Sequence, residues 1–481
     1  MIRILKIKSI PAFLACIFFT SVNLYAQSVS VSSWDGLNSA LSAAATSITF
    51  TTGSISYTGA LPTVNYGGTI NFYGNTILNG NNAHQLFSFS SASVRFNDNI
   101  EFRNGTAQQG GAVFVVGSSN VSFASSTVNF TSNTANYNGG AILVDNSNIN
   151  FMNSTVNFIN NTVNNGGDGG GAIHNYGIIT FATSTVNFVG NKSYSRGGAI
   201  FNSSINNATI NFLISTINFT GNSTTSGGGA ISNNGTINFA TSTVNFINST
   251  SNGIGGAIYI VGMINFVTST VNFAGNISTS GGGAISNLYG IINFASSTVN
   301  FTSNTSTNSG GAILDYNGGV INFMTSNVGF VANTAKNGGA IYLDIANGSI
   351  NFGNSNVTGM GNVALSSGGF LYSTGNRNIN INLDRVLLTS NTAAVGGTFY
   401  GQTGTTFTFT AVNSNITNSS ASLSGGFIAL GAGGVADFIG AKLTASSNRA
   451  GQNGGFIYLT GAGAKALFSQ ADFIGNTAQN G

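Results

Sequence analysis

The chain has 481 residues, of which 67 are Gly, 37 are Phe, only 2 are Pro and 5% are charged, against about 25% charged in ordinary domains. The formal net charge is +3, and three of the 13 cations, Arg3, Lys6 and Lys8, fall in the first eight residues, so the rest is neutral. That balance argues against a nucleic-acid or anionic-membrane binder, a charge-driven disordered chain, a collagen and a catalytic globule with the usual supply of titratable groups.

Residues 1–26 read as a secretory signal peptide: three cations, a mostly apolar run from Ile10 to Leu24, and Ala26 at the cleavage point. The run is too short to span a bilayer comfortably. Cys16, the only cysteine, lies inside it. The mature chain then has no disulfide, thiolate nucleophile or cysteine metal site.

Residues 27–109 read as an N-terminal cap with irregular first coils. Trp34, Leu37, Ala40, Leu41 and Ala44 follow Ser32-Ser33 at helical spacing and predict a short amphipathic helix over the first coil. Ile48–Phe50, Ile70–Phe72 and Val94–Phe96 predict early strands.

From Gly110 onward the chain repeats. A Gly-Gly pair recurs in register at Gly110, Gly139, Gly170, Gly197 and so on to Gly454, thirteen times at intervals of 27 to 31 residues. Eight copies read Gly-Gly-Ala-Ile. Between them runs a second text, as at Ile179-Thr180-Phe181 and Ser184-Thr185-Val186-Asn187-Phe188, with Asn191 three residues on. Such short strands close no core within one unit, but stacked on their own copies they do. The prediction is an all-β, single-chain, right-handed parallel β-helix with three short strands per coil of about 28 residues and a rod on the order of 60 Å for thirteen coils. Residues 110–341 read as regular coils. Residues 342–481 read as degenerate coils ending without a cap, where Phe370, Thr398, Phe427 and Phe456 replace the Ala of the motif.

The interleaving of Gly-Gly-Ala-Ile with Phe-x-x-Asn, at Phe130–Asn133, Phe158–Asn161, Phe188–Asn191, Phe219–Asn222, Phe273–Asn276, Phe301–Asn304, Phe330–Asn333 and Phe473–Asn476, resembles the chlamydial-type polymorphic outer-membrane protein repeat over about residues 102 to 481. Phe246 departs from it, since Ser249 stands where Asn belongs. The resemblance implies an autotransporter passenger, an adhesin displayed at the cell surface or released. Its partner would be a host-cell or matrix molecule, and its anchor an outer-membrane barrel. The ~10-residue alternating strands of such a barrel are not among these residues.

Point chemistry is sparse, and no cofactor or metal site is expected. Asp315 and Asp344, in consecutive coils, are the candidate carboxylate pair of the alternative reading, a carbohydrate-active β-helix lyase or hydrolase. A purely structural or antigenic surface protein is the third. His84 and His174 read as solvated or corner residues, Lys192 and Arg196 as solvated. The position four after the first Gly is a candidate binding stripe: Phe114, Phe201, Tyr259, Tyr342, Tyr372, Tyr400 and Tyr458, with Leu143, His174, Ser232, Ser286, Leu314 and Ala429 between. If the preceding Ile points inward, alternation turns the stripe outward; burial from both sides or a covering loop is the other reading. A Thr-x-Asn ladder from Thr127–Asn129 to Thr298–Asn300 resembles the arrays of ice-binding solenoids. Self-association through the last coil is a further expectation.

Overall fold

The structure, a computed structural model, describes residues 28–344, 349–375, 378–381, 383–410 and 413–480; residues 1–26, expected to be a signal peptide, and Cys16 with them lie outside the described residues. The chain winds into a parallel β-solenoid of about 15 turns with about 28 residues per coil. Three parallel sheets run its length. Helix Trp34–Ser42 begins at Ser33, whose hydroxyl accepts the Gly36 amide, and buries Leu37, Ala40 and Leu41 against the core that continues from Val31 and Ile48. Ala44 falls outside it, in a left-handed conformation that ends the helix. The early strands Ser47–Phe50, Thr69–Tyr73 and Ser93–Phe96 pair in parallel and in sequence.

The strand following Gly-Gly and the Ile-Asn-Phe strand share one sheet, and in two coils they are a single continuous strand, Ile142–Met152 and Ile173–Ala182. The Thr-Val-Asn-Phe strands form the second sheet. The third is built largely of very short strands after the Phe-x-x-Asn corner, such as Thr162–Val163 and Lys192–Ser193. The periodicity did not announce this third sheet, because two residues carry no alternation.

Strict register puts each core residue over its copy. Phe96, Phe123, Phe151, Phe181 and Phe212 stack at 4.8 to 4.9 Å with nearly parallel planes. A second column runs through Phe130, Phe158, Phe188 and Phe219 at 4.7 to 4.8 Å. That spacing is the distance between hydrogen-bonded strands, so the backbone sets the ring separation. Each buried Phe contributes roughly 1.5–3 kcal/mol of transfer free energy.

The corners explain the motifs. Asn191 is fully buried. Its Nδ2 donates to the Phe158 carbonyl of the preceding coil at 2.9 Å and to Asn222 Oδ1 of the next at 3.0 Å. Its Oδ1 accepts the backbone N–H and the Nδ2 of Asn161. A neutral amide has two N–H donors and an acceptor oxygen, so it can bond to the coil before and the coil after at once. The corner before it uses Ser the same way: Ser215 Oγ accepts the Ser184 amide at 3.1 Å and donates to the Leu213 carbonyl at 2.8 Å. The third corner needs Gly twice. Gly197 sits at φ +61°, and a Cβ on Gly198 would meet the Gly229 carbonyl at 2.0 Å. Only a bare α-carbon lets successive coils approach so closely.

The degenerate coils keep the core by exchanging volume. Phe330 is in register with Gly359, so the second Phe column ends there. Phe370, replacing the motif Ala, fills the gap: it lies edge-on to Phe330 at 5.5 Å, and a Cβ on Gly359 would meet its ring at 2.7 Å.

Two stability outcomes follow from this packing. At Ser249 the Asn ladder is interrupted and the buried hydroxyl has no hydrogen-bond partner, so Ser249→Asn should raise stability by about 1 kcal/mol; an unchanged or lower thermal midpoint would contradict the ladder account. Phe370→Ala should lose about 3–5 kcal/mol, and Gly359→Phe added to it should recover most of that loss, as read by denaturation of the three variants.

Candidate functional site

The stripe four residues after Gly-Gly is one unbroken column. Phe114 pairs with Leu143, Leu143 with His174, His174 with Phe201 and Phe201 with Ser232. It continues through Tyr259, Ser286, Leu314, Tyr342, Tyr372, Tyr400, Ala429 and Tyr458. Its neighbours in the strand, such as Ile200 and Ile231, point into the core, so alternation places the column on the other side of the sheet.

That side is sheltered. Phe201 is 2% and Tyr372 8% exposed, whereas Phe114, Tyr259, Tyr342, Tyr400 and Tyr458 are half-buried. In several coils the segment before Gly-Gly lies against the column. Gly169 O meets His174 Nδ1 at 3.1 Å, and a Cβ on Gly227 would touch the Tyr259 ring at 3.3 Å. Within the column the longest aromatic stack is Tyr342–Tyr372–Tyr400, with ring centroids 4.9 and 5.0 Å apart. The Tyr372 hydroxyl accepts from Gln402 Nε2 at 2.7 Å, and burial is the main cause that pushes it up to about 12. Tyr316, beside the column at Tyr259, is pushed to about 12 chiefly by burial as well. The stripe contains no Asp, Glu, Lys or Arg and is an uncharged, largely aromatic and apolar seam.

His174 corrects the sequence expectation: it is not solvated but fully buried in this column, its ring 4.7 Å from Phe201 and 4.3 Å from Tyr176. It takes an aromatic place in the stack, and its Nε2 has no hydrogen-bond partner. Burial lowers its pKa to about 4. Lys192 and Arg196 are exposed, and Lys192 Nζ bonds the Tyr194 hydroxyl at 2.8 Å.

The two candidate carboxylate residues lie in adjacent coils, the Asp344 amide donating to the Asp315 carbonyl at 2.9 Å. Asp315 is in register with Leu343, so Asp344 stands one place further along. Asp315 is fully buried and accepts from Asn287 Nδ2 at 2.9 Å, while Asp344 accepts from Thr374 at 3.3 Å. Asp315 occupies the place that an amide holds elsewhere, in a buried column five residues after Gly-Gly. There Asn175, Asn202 and Asn233 are linked at 2.8 Å. The recurrence of Asn at that offset was visible in the sequence and was not read as a ladder. Among the described residues no three His, Cys, Asp or Glu side chains converge.

The Thr-x-Asn face is built as an outward ladder in register, but its amides bond one another, as in Asn218 to Asn187 at 2.8 Å. The hydrogen-bonding capacity of that face is thus partly spent along the rod rather than offered to solvent.

Three segments of the chain, residues 127–145, 185–203 and 216–234, match the family model of the Chlamydia polymorphic membrane protein repeat. Each spans the Thr-x-Asn-Phe-x-x-Asn strand and corner and the residues leading into the next coil. No curated protein and no solved structure matches the chain. The resemblance carried by the two interleaved motifs is thereby shown, and repeat and fold together fit a surface passenger.

The buried imidazole predicts a pH response. His174 is depressed from 6.5 to about 4 in the folded state, so between those values the unfolded chain binds more protons. Its contribution is complete above pH 6.5 and is lost as pH falls toward 4, by about 3 kcal/mol. His174→Phe should flatten the fall in melting temperature between neutral pH and pH 4; an identical slope in both proteins would refute the assignment.

Proposed function

We propose that the chain is an exported, surface-displayed passenger that acts as a non-catalytic adhesin through the repetitive lateral face of its rod. The single observation that carries this reading is the continuous register of the offset-four column through thirteen coils, in a chain bearing the polymorphic membrane protein repeat. A repeated surface suits affinity gained from many weak contacts presented together. Within the seam, the half-buried rings of Phe114, Tyr259, Tyr342, Tyr400 and Tyr458 offer edges to a partner, and the more deeply buried Phe201 and Tyr372 hold the stack in place. Aromatic side chains with a polar tip are the usual anchors of such contacts. The partner is a host-cell or matrix surface molecule, and export and display at the outer membrane follow the family of the repeat.

Of the two carboxylates on which the lyase or hydrolase alternative rests, Asp315 is fully buried against Asn287 rather than exposed to a substrate. Purified rod, residues 28–480, should bind cultured host cells saturably. The double variant Tyr342→Ser/Tyr400→Ser should bind several-fold more weakly with an unchanged circular dichroism spectrum. Absence of saturable binding by the parent rod would reject adhesion. Equal binding by the double variant would move the contact away from the seam.

A further inference from the structure

We propose that the cleft between the loop at residues 204–207 and Tyr289 is a binding site for a neutral oligosaccharide. The cleft encloses about 420 Å³, within the range of small-molecule sites. It lies at the corner that follows the strands after Gly-Gly, and at its Tyr289 end it adjoins the offset-four seam, where Tyr289 interacts with Tyr259. Its floor crosses the consecutive register partners Thr209, Thr236, Met263 and Ile291, a span of about 14 Å at one strand spacing per coil.

Two departures from the regular repeat make the walls. One is the 3-10 turn Ile205–Asn207, inserted between Asn202 and the strand Thr209–Leu213. The other is Tyr289, three coils further on, held at φ +62° with 61% of its surface exposed. In the coils between, Gly235 and Gly262 allow only a tight corner, so the floor is low and the ends are high. A Cβ on Gly262 would meet the Gly235 carbonyl at 2.2 Å.

The chemistry of the lining selects the ligand class. No charged side chain lines the cleft, so an anion or cation would be desolvated there without a partner. Ser204, Asn207, Asn234 and Thr236 line it with neutral polar side chains, although the Asn234 amide oxygen is itself buried and faces away from solvent. A purely apolar ligand would leave these groups unpaired. What satisfies both the exposed phenol ring and the neutral amides and hydroxyls is a molecule with apolar C–H faces and a rim of hydroxyls, which is an uncharged sugar. The open length of the floor fits a short chain of such rings lying across the coils, with Tyr289 as the platform at one end.

The test is saturation-transfer NMR on the purified rod with cellotriose, maltotriose, N-acetyllactosamine and chitotriose as neutral probes and a heparin-derived disaccharide as the charged one. At least one neutral probe should bind with millimolar or better affinity. Tyr289→Ala should weaken it at least about tenfold, and Tyr137→Ala, at an exposed tyrosine elsewhere on the rod, should not; both substitutions are at the surface and leave the core unchanged. The proposal is overturned if no neutral probe binds at millimolar concentrations, if the heparin disaccharide binds more tightly than all of them, or if Tyr289→Ala binds as the parent does.

Discussion

The fixed separation of hydrogen-bonded coils is the constraint on which everything else in this protein rests. Each residue lies one strand spacing, about 4.8 Å, from its own counterpart, so a side chain is tolerated only if it stacks well on a copy of itself. Phe does, and its ring separations of 4.7 to 4.9 Å across the regular coils are the backbone spacing expressed in side chains. Asn does, because an amide carries both a donor and an acceptor. Asp, Glu, Lys and Arg do not, since like charges in consecutive coils repel. The scarcity of charge and the abundance of Asn thus have one cause.

The same constraint gives each corner its chemistry. A buried turn must find partners for its backbone groups, and here the partner is the side chain of the neighbouring coil. Asn191 and Ser215 each close such a circuit. Where the Asn is replaced, two outcomes occur. Ser419 is bonded by Thr398, itself a replacement in the Gly-Gly motif of that coil, at 2.6 Å. Ser249 has no such neighbour. Departures from the repeat are therefore coordinated rearrangements in places and, at Ser249 among the regular coils, an unrepaired gap. The exchange of volume between Gly359 and Phe370 belongs to the first kind.

Function on such a rod must come from its outside, because the inside is committed to repetition. The seam is regular and sheltered, and it is neutral because no Asp, Glu, Lys or Arg stands in it. The cleft at Tyr289 is the opposite case: it exists because two coils break the repeat three turns apart. Regular faces suit many weak contacts, and irregular corners suit a single specific one. Both modes are open to a chain whose repeat and fold fit a surface passenger.

The sequence by itself determined the solenoid. The interval of Gly-Gly, the alternation in Thr-Val-Asn-Phe and the helical spacing of Leu37, Ala40 and Leu41 are local signals, and strict repetition forces each unit onto its copy. The same repetition made the resemblance legible. The third sheet was not legible, because strands of two residues such as Thr162–Val163 carry no period. Nor was the placement of the candidate site residues. Alternation says that Tyr259 and His174 face away from the core, but only the tertiary structure brings the segments at Gly227 and Gly169 over them. Likewise Asp315 and Asp344 are neighbours in repeat offset, and only the tertiary structure buries Asp315 against Asn287. What depends on a residue meeting its own copy is written in the repeat. What depends on one coil's loop meeting another coil's strand is decided by packing, because no period relates the two.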